Sequence, residues 1–346
     1  MGIFLLALII RLTCLYIFRN INNYDLQSYL QVGELTLNRI NIYPDVASFH
    51  HPYLPFFLYL EAFAFYLKKF SINPIIILKF INIIFDLGNL YLVYLLSKKN
   101  LKTAFFYAVN PVTILITTLH GQFDVIPLFF LLLSFYLIKI KKETFSILLF
   151  SFAAMTKTWP ILFIISFYKK LKNKKIILLV LVFPVISIIL YTVLFKSSVI
   201  NITKTIIGYQ GLWGIWGAWT LLGEWRLRWQ KLSTLIFLVC FFHFSYLNKN
   251  RSIVKEILNF LFFFFIFTTN FSIQYFVWII PFLIIVKPKK YLLLIFFMAL
   301  TLISHYTTPN LIIFQELTKF TTWILFIYSF LSSRAKSRDL LTNRLR

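Results

Sequence analysis

The chain has 346 residues, 60% of them hydrophobic, with a formal net charge of +24 and a mean hydropathy of +0.81. Apolar runs recur almost end to end, which excludes a sizeable soluble domain and describes an all-α, integral membrane protein. The charge argues against a nucleic-acid partner once its distribution is considered, because no basic soluble domain carries it.

Lysines gather in knots between apolar runs: Lys68-Lys69, Lys98-Lys99, Lys139–Lys142, Lys169–Lys175, 249–255, Lys287–Lys290 and the tail from Arg334. Such knots mark cytoplasmic loops and meet anionic lipid headgroups. Cys14 and Cys240 lie within apolar runs and read as small hydrophobes, neither a disulfide nor a metal site.

In chain order, residues 1–18 lack a basic start and a small-residue cleavage site, so they read as a retained first span. Further candidate spans are 53–67, 75–97, 103–119, 123–138, 143–168, 176–195, 232–247, 252–268, 272–286, 290–306 and 320–333. A polytopic bundle of about 10–12 transmembrane helices is expected. The layout divides into a transmembrane module, 1–195, with an outer loop at 19–52; an outer Trp-rich loop, 196–231; and C-terminal helices with a basic cytoplasmic tail, 232–346. From 169 onward the knots alternate regularly. Earlier, those at 68–69, 98–102 and 139–142 cannot all be cytoplasmic if every run crosses once. Segments 75–97 and 143–168 each lie between two knots, so either is re-entrant, split into half-helices, or flanked by knots on opposite faces.

Loop 19–52 carries Asp25, Glu34, Asp45, His50 and His51. A helix from about Asn23 puts Asp25 and Tyr29 on one face. Spacing alone equally describes a surface amphipathic helix with an acid favoured by its N-terminal dipole. The hairpin 103–138 holds Asn110-Pro111, which breaks a helix, and the turn His120-Gly121-Gln122-Phe123-Asp124 on the same outer face. The turn is either structural or a polar site. Lys157, before Trp159-Pro160, must snorkel, pair with an acid, or face a cavity and hold a phosphate. Loop 196–231 repeats Trp213, Trp216, Trp219 and Trp225 among glycines. These read as interfacial anchors or as rings that stack on sugars, with Arg226 and Arg228 available to phosphate. FSIQYFVWIIPF puts Gln274, Tyr275 and Trp278 on one helical face. Lys79, Asp86 and Glu61 in apolar runs read as structural, pairing inside the bundle.

These pieces resemble the GT-C superfamily of polytopic glycosyltransferases that use polyprenyl-phosphate sugars. The similarity lies in NYDLQSYLQVGE after the first span, IYPDVASFHHPYLPFF (Tyr43, Pro44, His51, Pro52, Pro55), NPVTILITTLHGQFD, Lys157 to Pro160, and SIQYFVWIIPF. The nearest likeness is to mannosyltransferase-like members with no soluble C-terminal domain. The resemblance implies a GT-C-like helical fold in the plasma (cytoplasmic) membrane with the active site on the outer face. It implies transfer of a hexose, mannose, from a polyprenyl-phosphate donor to a glycan, lipid or protein acceptor of the cell envelope. Asp25 is then the general base of a single, inverting displacement. Tyr29, His50, His51, His120, Gln122, Asp124, Lys157, Trp159, Trp216, Arg226, Gln274 and Tyr275 are then substrate-binding residues. Asp25 has no adjacent acid, and a divalent cation is used by some members only, so metal use stays open. The rival reading is a transporter or lipid-linked sugar flippase, which calls for internal repeats and midplane charges. No repeat is visible.

Overall fold

Asparagine sets many of the helix starts. In the computed structural model, Asn23, Asn73, Asn100 and Asn110 each accept a backbone N–H through the side chain at a helix N-cap. This is the capping role for which a short polar side chain suits. At Asn73-Pro74 and Asn110-Pro111 the proline takes the first helical position, where its missing N–H costs nothing. The structure describes residues 2–43, 45–209, 216–223, 225–248, 252–306 and 312–342, apart from the side chains of 226, 227 and 335–342. The described residues are helical throughout, without a strand, and fall into two compact units, Met1–Gln210 and Gly211–Arg346. The division lies inside the segment 196–231.

The first unit contains α1 (Gly2–Ile17), α2 (Tyr24–Leu37), α3 (Asp45–His50), α4 (Phe57–Tyr66), α5 (Pro74–Leu96), α6 (Leu101–Ala108), α7 (Pro111–Leu115), α8 (Val125–Lys139), α9 (Glu143–Thr156), α10 (Ile164–Lys170), α11 (Val182–Phe195) and α12 (Val199–Gly208). α1 and α5 are antiparallel. Phe4 lies beside Tyr91 at 6.2 Å between ring centroids. At the other end, the Lys79 ammonium donates to the carbonyls of Phe18 (3.0 Å) and Ile21 (3.3 Å). α5 therefore starts where α1 stops, and the chain from Phe18 to Pro74 makes no net crossing. This corrects the expected span at 53–67. α4 instead runs beside α2 in the same direction, with Tyr29 on Phe57 at 5.3 Å. The two backbones touch where Gly33 meets the Glu61 carbonyl; a Cβ at Gly33 would lie 2.6 Å from that oxygen. An apolar helix lying along a bundle and one crossing a bilayer carry the same local hydropathy, so composition does not separate them.

The remaining path accounts for the lysine knots. Lys139 reaches the Leu96 carbonyl (3.5 Å), and the Lys172 N–H donates to Glu143 (3.0 Å). The knots at 98–102, 139–142 and 169–175 thus share one end of the unit, the basic end, while Lys68-Lys69 lies toward the other. Segment 143–168 is split at Lys157. α9 climbs away from the basic end, and Trp159–Lys170 returns to it with Phe167 stacked on Phe135 and Phe150. The helix Lys174–Phe195 climbs again, and Tyr191 locks it to the loop after α2 by accepting the Ile42 N–H and donating to Asn41. Among the described residues, four helices are long and apolar enough to cross a membrane: Pro74–Leu96, Leu101–His120, Lys174–Phe195 and Gln230–Leu247. Several shorter apolar helices, Gly2–Ile17 among them, accompany them.

Buried charge holds this unit together. The Arg11 guanidinium donates to Asp86 (2.7 Å), to the Ala108 carbonyl (2.9 Å) and to Thr113 (3.2 Å). Tyr107 donates to the other Asp86 oxygen (2.7 Å). Arg11 therefore caps the carbonyl end of α6, where the Asn110-Pro111 break leaves acceptors without helical partners. Asp86 neutralises it.

The second unit contains α13 (Trp225–Arg228), α14 (Gln230–Leu247), α15 (Ile253–Phe267), α16 (Phe276–Val286), α17 (Tyr291–His305) and α18 (Ile312–Thr342). The Trp216 and Trp323 indoles donate to the last carbonyls of α15, at Phe265 (2.6 Å) and Ile266 (3.0 Å). Hydroxyl pairs Thr301–Thr322 and Ser304–Thr318 join α17 to α18, as small polar residues do between helices in lipid.

The path of the first unit gives a direct expectation. In a background lacking Cys14 and Cys240, cysteines at Lys69 and Lys102 should react with an impermeant maleimide from opposite faces of an oriented membrane. Labelling from one face alone would contradict the antiparallel run of α1 and α5.

Candidate active site

The turn 120–124 is built by its neighbours. α7 widens into a π-helical turn, Ile116–His120, and Gly121 ends it in the left-handed conformation (φ +77°). Only glycine fits there, because a Cβ would sit 2.8 Å from Leu26 of α2. Asparagine amides then clamp the backbone. Asn23 donates to the His120 carbonyl (2.8 Å), Asn82 to Gly121 (3.0 Å) and Asn89 to Val125 (3.0 Å). Sequence reasoning did not find these clamps, nor Arg11. Three asparagines spaced along apolar α5 and its neighbours were the available signal, since each amide in such a run needs a partner.

Clamped in this way, the turn presents Gln122 to α2. Tyr29 donates to the Gln122 carbonyl oxygen (2.7 Å), and the Gln122 amide donates to Asp25 Oδ2. Gln122 and Tyr29 are buried, while Asp25 is half-buried. Among the described residues Asp25 Oδ1 has no hydrogen-bond partner. Burial, and then Tyr53 and the carboxylates of Asp25, Glu61 and Asp124, push the Tyr29 phenol well above its ordinary range. It therefore stays a neutral donor that fixes the Gln122 amide. Phe123 stacks on Phe57 at 3.6 Å and supports the turn from below.

Asp124 and Lys157 form a buried ion pair at 2.7 Å. The ammonium also lies 4.6 Å from the Phe123 ring centroid and 5.0 Å from that of Tyr53, an arrangement in which ring faces add to the stabilisation of a desolvated cation. Lys157 thus takes the pairing role among its three readings. Its backbone is extended at the end of α9 (φ −155°, ψ 142°), which is where segment 143–168 turns back. His51 lies 3.3 Å from Glu61, both fully buried. His50 pairs with Ser28 (2.8 Å) and stacks on Tyr24. Trp159 is buried edge-on to Phe163, and His120 is buried beneath the turn.

The structure therefore brings Asp25, Tyr29, Gln122, Asp124 and Lys157 into one polar cluster at the end of the first unit away from the knots at 98–102, 139–142 and 169–175, with His50 and His51 on the elements that flank it. Trp216, Gln274 and Tyr275 belong to the second unit. Trp216 is 1% exposed and stacked on Phe271 at 4.0 Å. Its indole N–H is spent on a helix end. Gln274 pairs with Ser272, and Tyr275 stacks on Trp278. The side chain of Arg226, like Trp213, lies outside the described residues. No group of three or more His, Cys, Asp or Glu side chains among the described residues is placed to hold a metal ion.

Residues 55–220, just under half of the chain, match the model of glycosyltransferase family 87. Over this stretch the chain is similar to a family of GT-C-type membrane glycosyltransferases, which supports a transferase. The matched segment contains Gln122, Asp124 and Lys157 of the cluster, while Asp25 precedes it. No curated protein and no solved structure matches the chain. A glycosyltransferase of this kind acts on a sugar donor and an acceptor in a membrane setting, so the similarity favours catalysis over the carrier reading.

Proposed function

We propose that this glycosyltransferase moves a hexose, mannose, from a polyprenyl-phosphate donor to an acceptor of the cell envelope on the outer face of the plasma membrane. Asp25 is the general base of a single inverting displacement. The observation that supports this most is the state of the Asp25 carboxylate: half-buried, held at one oxygen by Gln122, with the other oxygen unengaged among the described residues. A base needs that geometry to receive a proton from an acceptor hydroxyl at about 3 Å. As the hydroxyl oxygen bonds to the anomeric carbon, its proton passes to Asp25 and the bond to the phosphate oxygen breaks. The phosphate leaves already anionic, so it calls for positive charge more than for a proton. Lys157, its charge balanced by Asp124 in a site of low dielectric, contributes to that potential. Asp124 is taken up by this pair, which leaves it an orienting role and speaks against the two-carboxylate double displacement of retaining enzymes. No step is routed through a divalent cation. Three of the unit's four basic knots, at 98–102, 139–142 and 169–175, lie at the opposite end, which under the positive-inside rule supports an outer-side site.

The test is transfer in proteoliposomes supplied with a panel of polyprenyl-phosphate sugars, with the anomeric configuration of the product read by NMR. The expected product has the configuration opposite to that of the donor, with the mannosyl donor preferred. A product of retained configuration would exclude the single displacement.

A further inference from the structure

Several exposed aromatic rings stand beside the polar cluster and have no part in the chemistry above. Tyr24 precedes Asp25 in the first turn of α2 and is 62% exposed. One face of its ring is stacked on His50, at 5.6 Å and 28°, and its hydroxyl is tied to the Phe49 carbonyl (3.4 Å). His50 is in turn fixed by Ser28 of α2. A ring covered on one face, pinned at its hydroxyl and still mostly exposed has its other face open. The second ring is Tyr209, at the end of α12. It is 47% exposed, and among the described residues its hydroxyl makes no hydrogen bond. Burial raises the phenol, Lys157 lowers it, and Asp25, Asp124 and Tyr24 raise it. α12 is seated on the first unit by Ile202, which is fully buried among Ile42, Tyr43, Ala47 and Tyr191, so the ring is carried by a packed element.

Exposed aromatics at a membrane protein's rim commonly serve as interfacial anchors. An anchor needs apolar bulk but no fixed ring plane. Here the Tyr24 ring is held by His50 and by the Phe49 carbonyl, which fix its plane next to Asp25. Ring faces carry negative potential that attracts the C–H edges of a pyranose, while neighbouring carboxylate and hydroxyl groups take its O–H groups.

We infer that Tyr24, together with Tyr209, forms an aromatic subsite that stacks a saccharide ring of the acceptor. This rests on Asp25 acting on an acceptor hydroxyl.

The experiment is saturation-transfer NMR on the full chain in lipid nanodiscs with methyl α-D-mannopyranoside as probe, comparing wild type with Tyr24→Phe, Tyr24→Leu and Asp25→Asn. Ring C–H signals are expected in wild type, Tyr24→Phe and Asp25→Asn, with binding at least about fivefold weaker in Tyr24→Leu. Should Tyr24→Leu fail to fold, Tyr209→Leu, which removes no hydrogen bond, is expected to weaken binding in the same direction. Unchanged binding in the leucine variants would assign the rings to the lipid surface and overturn the proposal. So would the absence of any signal in wild type, even if transfer to a peptide acceptor proceeded and left the Asp25 reading intact. Tyr24-dependent binding without transfer from any donor would uphold the subsite and overturn the transfer reading instead.

Discussion

Asp25→Asn should lower kcat for sugar transfer by about 10²–10⁴-fold, the usual contribution of a positioned general base, while the donor KM changes by about twofold or less. The substitution keeps the size of the side chain and an oxygen that can accept from the Gln122 amide. The turn and α2 therefore stay in place, and what is lost is the ability to take a proton. Asp25→Glu should retain intermediate activity, because the carboxylate survives but is displaced by one methylene from the position Gln122 fixes. Initial rates in proteoliposomes check both variants. Equal kcat in wild type and Asp25→Asn would remove Asp25 from the base role.

Arg11→Ala should destabilise the first unit by about 3–5 kcal/mol, the cost of leaving a buried charge without its partner. Arg11 and Asp86 are both fully buried, and the alanine variant also strips the Ala108 carbonyl of its donor. The double variant Arg11→Leu with Asp86→Leu should recover part of the loss, since no lone charge remains. It should not recover all of it, because the cap on broken α6 is still missing. Thermal unfolding in detergent, followed by tryptophan fluorescence, orders these variants. A single variant as stable as wild type would show that the pair is not what holds α1 to α5 and α6.

The contrast between these two acids shows what was legible in the sequence. An acid beside the first span, on a polar segment with an asparagine cap, could be singled out because lipid makes every such acid costly. The polytopic helical fold was legible for a related reason: a bilayer demands long apolar runs, and composition shows them. Pairing was not. Asp86 finds Arg11 75 residues away, and Lys157 finds Asp124 33 residues away. No local period reports contacts of that range. α4 misled because an apolar helix against a bundle has the hydropathy of a span. A tryptophan in a glycine-rich segment, such as Trp216, reads the same whether its ring faces lipid, sugar or core. The asparagines were the most under-read residues. They cap the helices and hold the turn that positions Gln122.

A structure of the full chain in lipid nanodiscs with a non-transferable polyprenyl-phosphate mannose analogue bound tests the central claim most directly. The account predicts the sugar headgroup at the Asp25–Gln122 cluster, with the anomeric carbon about 5–6 Å from the carboxylate, leaving room for one acceptor oxygen between them. A headgroup bound at the basic end of the first unit, beside the knots at 98–102 and 139–142, would contradict it.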